Sequence, residues 1–201
     1  MRIVVLVSGS GSNLQAVIDA AQSGDLPVEI AAVGSDKPEA YGLERARSAG
    51  IETFIAPLQK GATPEQRQEW NRRLGEAVLS FEPDVLVSSG FMRIVSAEFL
   101  DTLVRTDGQA VPMINTHPAL LPSFPGAHAV RDALAHGVKV TGCTVHQVDS
   151  GVDTGPILAQ TAVEVLPGDD EPTLHERIKT AERDLLNRVL AETARGEHTF
   201  S

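Results

Sequence analysis

The sequence has little of several features that particular protein classes require. It contains one cysteine, Cys143, in 201 residues, so an intrachain disulfide and a cysteine-based zinc cluster are excluded. Its 17 Lys and Arg residues against 27 Asp and Glu residues give a formal net charge of −10, which argues against a protein that coats nucleic acid through a basic face. No histidine pair has metal-ligand spacing together with an acid, so we predict no metal site.

Long hydrophobic runs are also missing. The N-terminal run MRIVVLV is too short for the apolar part of a signal peptide and far too short to span a bilayer. We therefore expect a cytoplasmic protein with no membrane contact. With 42% hydrophobic and 22% charged residues, the chain can still bury a full core, and its length fits one domain.

Apolar, β-branched runs alternate with helical patterns over the first two thirds of the chain. The first run, RIVVLV at residues 2–7, is continuously apolar, which is typical of a strand buried on both faces. Four further runs of this kind follow, the last being VPMIN at residues 111–115. This alternation predicts an α/β fold with a doubly wound, mainly parallel sheet and a Rossmann-like N-terminal part.

The pattern changes after about residue 137. Two strand-like runs at residues 139–149 and 155–166 predict a late antiparallel strand pair. A helical pattern from about residue 172 to residue 195 predicts a long C-terminal helix. Because no repeat, linker or low-complexity segment interrupts the chain, we expect a single domain over residues 1–201.

The loop SGSGSN, at residues 8–13, follows the first strand and precedes a helix. Gly9 and Gly11 would let the backbone approach a ligand, and the free N–H groups of a helix N-terminus favour an anion. The dinucleotide fingerprint would need a glycine in place of Leu14, and the lysine of a P-loop is absent. The loop therefore suits a monophosphate better than NAD or ATP, with an ordinary tight turn as the alternative.

The stretch NTHPALLPSFPGAH, at residues 115–128, contains three prolines that restrict the backbone around them. We interpret it as a stiff loop that begins with Asn115 and His117, just after the strand VPMIN. In sheets of this type ligands bind beyond the carboxyl ends of the strands. Four polar clusters are expected at such ends: SGSGSN, SDKP, SGFMR and NTHP. The alternative is a proline-rich surface turn with an incidental histidine.

Asp153 lies in the glycine-flanked turn SGVDTGP. A carboxylate near an imidazole raises the pKa of the ring toward or above neutrality, and an amide N–H can stabilise an oxyanion. Asn115, His117 and Asp153 together could therefore support acyl transfer in which the substrate's own amine attacks. A turn-forming role is the alternative for Asp153. His146, in TVHQV, could lie behind the site residues and contact them, although the pattern favours a hydrogen-bonded structural histidine.

Six segments, taken in order, resemble the folate-dependent formyltransferases, and among them the phosphoribosylglycinamide formyltransferases. They are SGSGSNLQA, GLERARSAGI, PDVLVSSGFMRIVS, NTHPALLPSFPGAHAV, GCTVHQVD and VDTGPILAQ. The resemblance extends from Arg2 to about Arg195. It implies a ribonucleotide-binding half at about residues 1–110 and a catalytic, folate-binding half at about residues 111–201.

The resemblance also implies roles for three groups of residues. The catalytic group, in which Asp153 raises the pKa of His117, consists of Asn115, His117 and Asp153. The group that binds the ribonucleotide consists of Gly11, Ser12, Asn13, Lys179 and Glu182. The group that binds folate consists of Arg67, Met92, Arg93, Ile94, Val95 and Asn115.

The activity implied is transfer of the formyl group of 10-formyltetrahydrofolate to the amine of glycinamide ribonucleotide, a step of purine biosynthesis that uses neither a metal nor NAD. The sequence leaves homodimerisation open. Methionyl-tRNA formyltransferase is disfavoured because this chain is acidic. Two alternatives are a formyltetrahydrofolate hydrolase and a non-catalytic module that binds phosphoribosyl nucleotides.

Overall fold

The structure, a computed structural model, describes residues 1–200. Within them the chain forms an alternating series of strands and helices, followed by a strand pair and a last helix. The elements are β1 (Arg2–Val7), α1 (Ser12–Ser23), β2 (Glu29–Ser35), α2 (Tyr41–Ser48), β3 (Glu52–Ile55), α3 (Pro64–Leu79), β4 (Val85–Ser88), α4 (Ala97–Thr102), β5 (Met113–His117), α5 (Ala129–His136), β6 (Val140–Gln147), β7 (Ile157–Glu164) and α6 (Glu171–Ala194).

The chain divides into two compact units, Met1–Ile114 and the residues from Asn115 onward. In the first unit four strands are hydrogen-bonded in the order β3-β2-β1-β4, and β1 pairs in parallel with both β2 and β4. Ile3, Val4, Val5 and Leu6 have no exposed surface. The continuously apolar first strand is therefore buried on both faces, as predicted.

The second unit begins within β5 and contains β6 and β7 as neighbouring strands. β6 and β7 are antiparallel, with Val140 opposite Glu164 and Val145 opposite Ala159. α6 packs against both strands. It does so through a stripe of buried side chains at helical spacing, namely Leu174, Ile178, Leu185, Leu186, Val189 and Leu190. The α/β class, the late antiparallel pair and the long C-terminal helix are confirmed.

Two helices begin at side chains that cap them. Thr63 accepts a hydrogen bond from the Gln66 N–H while the Gln66 side chain accepts one from the Thr63 N–H, and Pro64 occupies the first helical position of α3. The Ser96 side chain accepts the Phe99 N–H at the start of α4. These side chains pair N–H groups that a helix N-terminus otherwise leaves without a partner.

The expected end of the fifth strand is wrong by two residues. We expected the strand to end at Asn115, with His117 in a loop, whereas β5 continues to His117. The strand stops there because Pro118 has no N–H to donate to a neighbouring strand. Because side chains alternate along a strand, Asn115 and His117 project from the same side of β5.

Among residues 1–200, no helix is long and apolar enough to cross a membrane.

Candidate active site

His117 is the most buried member of the predicted catalytic group, with its side chain 4% exposed. Its Nδ1 lies 3.3 Å from Oδ2 of Asp153. Its Nε2 donates a hydrogen bond to the carbonyl oxygen of Phe124 at 2.8 Å. The Phe124 carbonyl oxygen can only accept a hydrogen bond, and so can the Asp153 oxygen when the carboxylate is ionised. Because each ring nitrogen faces such an acceptor, the hydrogen bonding favours a proton on both nitrogens.

Asp153 is held in place from several directions. Its Oδ2 accepts the N–H of Gly126 at 2.8 Å, and its backbone adopts φ 55, a left-handed conformation that is uncommon for a residue with a Cβ. A hydrogen bond from His146, the Gly126 N–H and the charge of His117 together lower the pKa of Asp153 despite its partial burial. The carboxylate is therefore ionised at neutral pH.

The pKa of His117 is governed by two opposing effects. Burial is the larger one, and it lowers the pKa below the ordinary value for histidine. The charge of Asp153 and the Phe124 carbonyl act in the opposite direction. Asp153 thus raises the pKa in the sense that the resemblance implies, but burial outweighs it, so the net shift is downward rather than toward or above neutrality.

His146, for which the sequence favours a structural role and leaves contact with the site open, belongs to the same cluster. Its Nε2 lies 3.3 Å from Nδ2 of Asn115 and 3.5 Å from Oδ1 of Asp153, while Nδ1 donates to the carbonyl oxygen of Gln147 at 3.0 Å. A neutral ring therefore accepts the Asn115 amide at Nε2, whereas a protonated ring donates from Nε2 to Asp153. The sequence contains one indication of this position. TVHQV has the alternating pattern of a β-strand, which places the side chains of Thr144 and His146 on the same face.

The proline-rich loop after β5 is held by side chains from β6 and β7. Thr144 Oγ1 donates to the carbonyl oxygen of Ala119 at 2.7 Å and accepts the N–H of Leu121 at 3.1 Å. Gln160 Nε2 donates to the Leu121 carbonyl at 2.9 Å, and the Leu121–Pro122 peptide bond is cis. These contacts fix the segment that supplies the Phe124 carbonyl and the Gly126 N–H to the cluster.

The glycine loop before α1 belongs to the first unit. Gly11 has φ 68, and a Cβ there would lie 2.6 Å from the Cα of Gly42, so a glycine is required at this position. The Gly9 carbonyl accepts the Gly42 N–H at 3.0 Å, and the Ser10 carbonyl accepts Nε of Arg45 at 2.8 Å. Both carbonyls are thereby turned toward α2.

The first turn of α1 has features that suit an anionic ligand. Its first N–H groups have no intrahelical acceptor, as at any helix N-terminus, and they carry partial positive charge. The turn contains no acidic residue. The amide oxygen of Asn13 is a different case: it is buried without a hydrogen-bond partner among residues 1–200, and as an acceptor it would pair with a hydroxyl or other donor of a ligand, not with its anionic group.

The residues predicted to bind folate differ in exposure. Met92 is 65% and Ile94 is 76% exposed, whereas Val95 is 7% exposed. Arg93 is ion-paired and partly buried, and Arg67 is exposed on α3. Met92 and Ile94 give this part of the first unit two large apolar side chains open to solvent, but their role and that of Arg67 stay predictions.

The two predicted residues of α6 lie in the second unit. Lys179 Nζ is 2.6 Å from Oε1 of Glu176, and Glu182 is 5% exposed. Their binding roles stay predictions. Within the described part of the chain, no group of three or more His, Cys, Asp and Glu side chains is arranged to hold a metal ion.

Comparison with known proteins gives consistent matches along the chain. Residues 1–190 match the family described as formyl transferase. The phosphoribosylglycinamide formyltransferase of Mycobacterium tuberculosis is 52% identical over 193 residues, which are 96% of this chain and 85% of that protein. The enzyme of the same name from Escherichia coli is 40% identical over 196 residues, 98% of this chain and 88% of that protein. The crystal structure of glycinamide ribonucleotide transformylase 1 from Symbiobacterium toebii superposes with a TM-score of 0.89 at 41% identity, covering 100% of this chain and 91% of that one.

Proposed function

This chain belongs to the formyl transferase family, and from that premise we propose that it is a phosphoribosylglycinamide formyltransferase. It transfers the formyl group of 10-formyltetrahydrofolate to the amine of glycinamide ribonucleotide. The products are formylglycinamide ribonucleotide and tetrahydrofolate, in the de novo synthesis of purines.

The contact between His117 and Asp153 carries this proposal. Nδ1 of the ring faces an ionised carboxylate at 3.3 Å, which leaves Nε2 as the nitrogen that can act on a substrate. Asn115 projects from the same side of β5, two residues before His117. An amide donor and an imidazole held by a carboxylate are the groups that formyl transfer to an amine requires, and no protein nucleophile is needed.

The reaction follows from these roles. The substrate amine forms a bond to the formyl carbon, whose oxygen becomes an oxyanion, and the bond from that carbon to the folate nitrogen then breaks. The proton lost by the amine replaces the formyl group on that nitrogen. Asn115 donates an N–H to the oxyanion. Protonated His117 donates from Nε2, exchanging its hydrogen bond to Phe124 for one to the substrate, and Asp153 supports the charge on the ring.

The glycine loop supplies the seat for the phosphate of the ribonucleotide. The residues that hold it in this proposal are Gly11, Ser12 and Asn13, through N–H groups at the start of α1. Lys179 and Glu182 bind the ribonucleotide from α6. Arg67, with the segment from Met92 to Val95, binds the folate co-substrate, as does Asn115.

A substrate-dependence assay tests the proposed reaction. The purified protein is mixed with 10-formyltetrahydrofolate, and deformylation is followed with and without glycinamide ribonucleotide. We expect turnover only when the ribonucleotide is present. Turnover without it would indicate a hydrolase, and no turnover in either mixture would favour a module that only binds phosphoribosyl compounds.

Replacing the histidine tests the assigned chemistry. We expect His117→Ala to lower kcat by roughly 10²–10⁴-fold, the usual contribution of a positioned acid or base. His128→Ala is the matched control, because His128 is exposed in the same part of the chain and its side chain does not cap α5. Near-normal turnover of a folded His117→Ala protein would contradict the role of this ring.

A further inference from the structure

Asp36 is a completely buried carboxylate for which the proposed reaction has no role. It lies in the polar cluster SDKP, directly after β2, and its side chain has 0% exposure. A charged group so far from water is costly unless partners compensate it. The partners of Asp36 therefore indicate what the carboxylate is for.

Both oxygens of Asp36 hold one short segment of the chain. Oδ2 accepts a hydrogen bond from Nε of Arg93 at 2.6 Å. Oδ1 accepts the hydroxyl of Ser8 at 2.5 Å, and the same hydroxyl oxygen accepts the N–H of Met92 at 2.8 Å. One carboxylate oxygen thus binds Arg93 directly, and the other is linked through the Ser8 hydroxyl to the preceding residue, Met92.

This segment, residues 91–95, needs such contacts because it lies outside the helices and strands. The apolar side chains of Met92 and Ile94 are exposed, so they do not hold the segment in place by burial. Arg93 donates a second hydrogen bond to the carbonyl oxygen of Leu58 at 3.1 Å. Phe91 stacks on Trp70, with ring centroids 6.3 Å apart.

We propose that Asp36 is a positioning residue that holds segment 91–95 in the conformation that binds the folate co-substrate. The inference rests on the proposed function, since it assigns this segment to folate. The carboxylate does not touch folate in this arrangement. It acts through the Arg93 guanidinium and, by way of the Ser8 hydroxyl, through the Met92 backbone.

The substitution Asp36→Asn tests the proposal with little change in volume. An asparagine can still accept the Ser8 hydroxyl at Oδ1, but its other atom becomes an NH₂ group that faces the Arg93 guanidinium. We expect KM for 10-formyltetrahydrofolate to rise roughly 10- to 100-fold, as follows from the loss of a charged hydrogen bond. The values of kcat and of KM for the ribonucleotide should change much less, which a general loss of stability would not produce.

Asp84→Asn is the matched control in the same unit. Asp84 also pairs with an arginine, Arg105, and accepts the Arg2 N–H at 2.7 Å, but it lies before β4, at the opposite ends of the strands. We expect this variant to leave KM for folate unchanged. The double variant Asp36→Asn/Arg93→Met should have the same KM for folate as Arg93→Met alone, because Asp36→Asn keeps the acceptor for the Ser8 hydroxyl and removes only the hydrogen-bond acceptor of Arg93.

Hydrogen exchange provides a readout that does not depend on activity. We expect Asp36→Asn, but not Asp84→Asn, to speed amide exchange in residues 91–95. Unchanged exchange and unchanged KM for folate would overturn the proposal, as would an equal rise of KM in both variants. Wild-type protein that transfers no formyl group would contradict the proposed function, and the exchange comparison would still decide whether Asp36 holds the segment.

Discussion

Asp153→Asn separates the charge of the carboxylate from its shape. The asparagine has nearly the same volume, and one orientation of its amide can still accept the Gly126 N–H. What the substitution removes is the negative charge 3.3 Å from Nδ1 of His117. Because the ring is buried, little water is present to replace that charge, so the protonated form of His117 loses most of its support.

The structure sets an upper limit on the effect. Two unit charges separated by 3.3 Å in an effective dielectric of about 20 attract each other by about 5 kcal/mol. The carboxylate is 13% exposed, so water weakens the attraction below this limit. At about 1.4 kcal/mol for each factor of ten, we expect kcat to fall roughly 10²–10³-fold.

The pH dependence gives the same reasoning a second test. As the acid, His117 is active below its pKa, and activity is lost as the pH rises through that value. Burial already lowers this pKa, and Asp153 opposes the shift. Without the carboxylate, the pKa of His117 should fall further, because the charge that opposes the effect of burial is gone. The alkaline limb of the kcat profile should therefore move to lower pH in Asp153→Asn.

Asp149→Asn is the control for changes in the turn itself. Asp149 Oδ1 accepts the Gly151 N–H and the Thr154 hydroxyl, and an asparagine keeps that acceptor. We expect this variant to retain kcat and the wild-type pH profile. If Asp153→Asn folded normally and also retained both, the charge on Asp153 would not be supporting His117, and the mechanism would be refuted.

Two further predictions concern stability. Gly11 and Gly24 both have positive φ, but a Cβ on Gly11 would meet Gly42, whereas one on Gly24 would meet no atom within 4 Å. In chemical denaturation, Gly24→Ala should therefore lower the unfolding free energy by ~1–2 kcal/mol from backbone strain alone, and Gly11→Ala should lower it clearly more. Equal losses would show that the contact with Gly42 is unimportant. Hydrogen bonding by Arg177 lowers the pKa of Asp169 to about 2, so ionised Asp169 stabilises the fold above its unfolded pKa of about 3.9, and this stabilisation is lost as the pH falls toward 2. Thermal melts should show Asp169→Asn below wild type in Tm at pH 6 and equal to it near pH 2; a difference that persisted in acid would contradict the ion pair as its source.

Much of the fold follows from patterns that act over a few residues. The continuous apolar run of β1, the capping residues Thr63 and Ser96 and the helical stripe of α6 are each readable from neighbouring positions. They predict elements correctly because hydrogen bonding within a turn and burial of one face are local requirements. The end of β5 was misjudged because the strand's last residues, Asn115 to His117, are polar and carry no apolar pattern.

The candidate site depends on contacts between residues far apart in sequence. The types of its side chains, and their places near strand ends, could be read from the chain. Local patterns did not reveal that Asp153 contacts His117, that His146 joins them, or that burial outweighs Asp153 in setting the pKa of the ring. Nor did they show that Asp36 contacts Arg93 directly and Met92 through the Ser8 hydroxyl. Such contacts arise when packing brings separate strands and loops together, and the desolvation that shifts a pKa exists only once the surrounding core has formed.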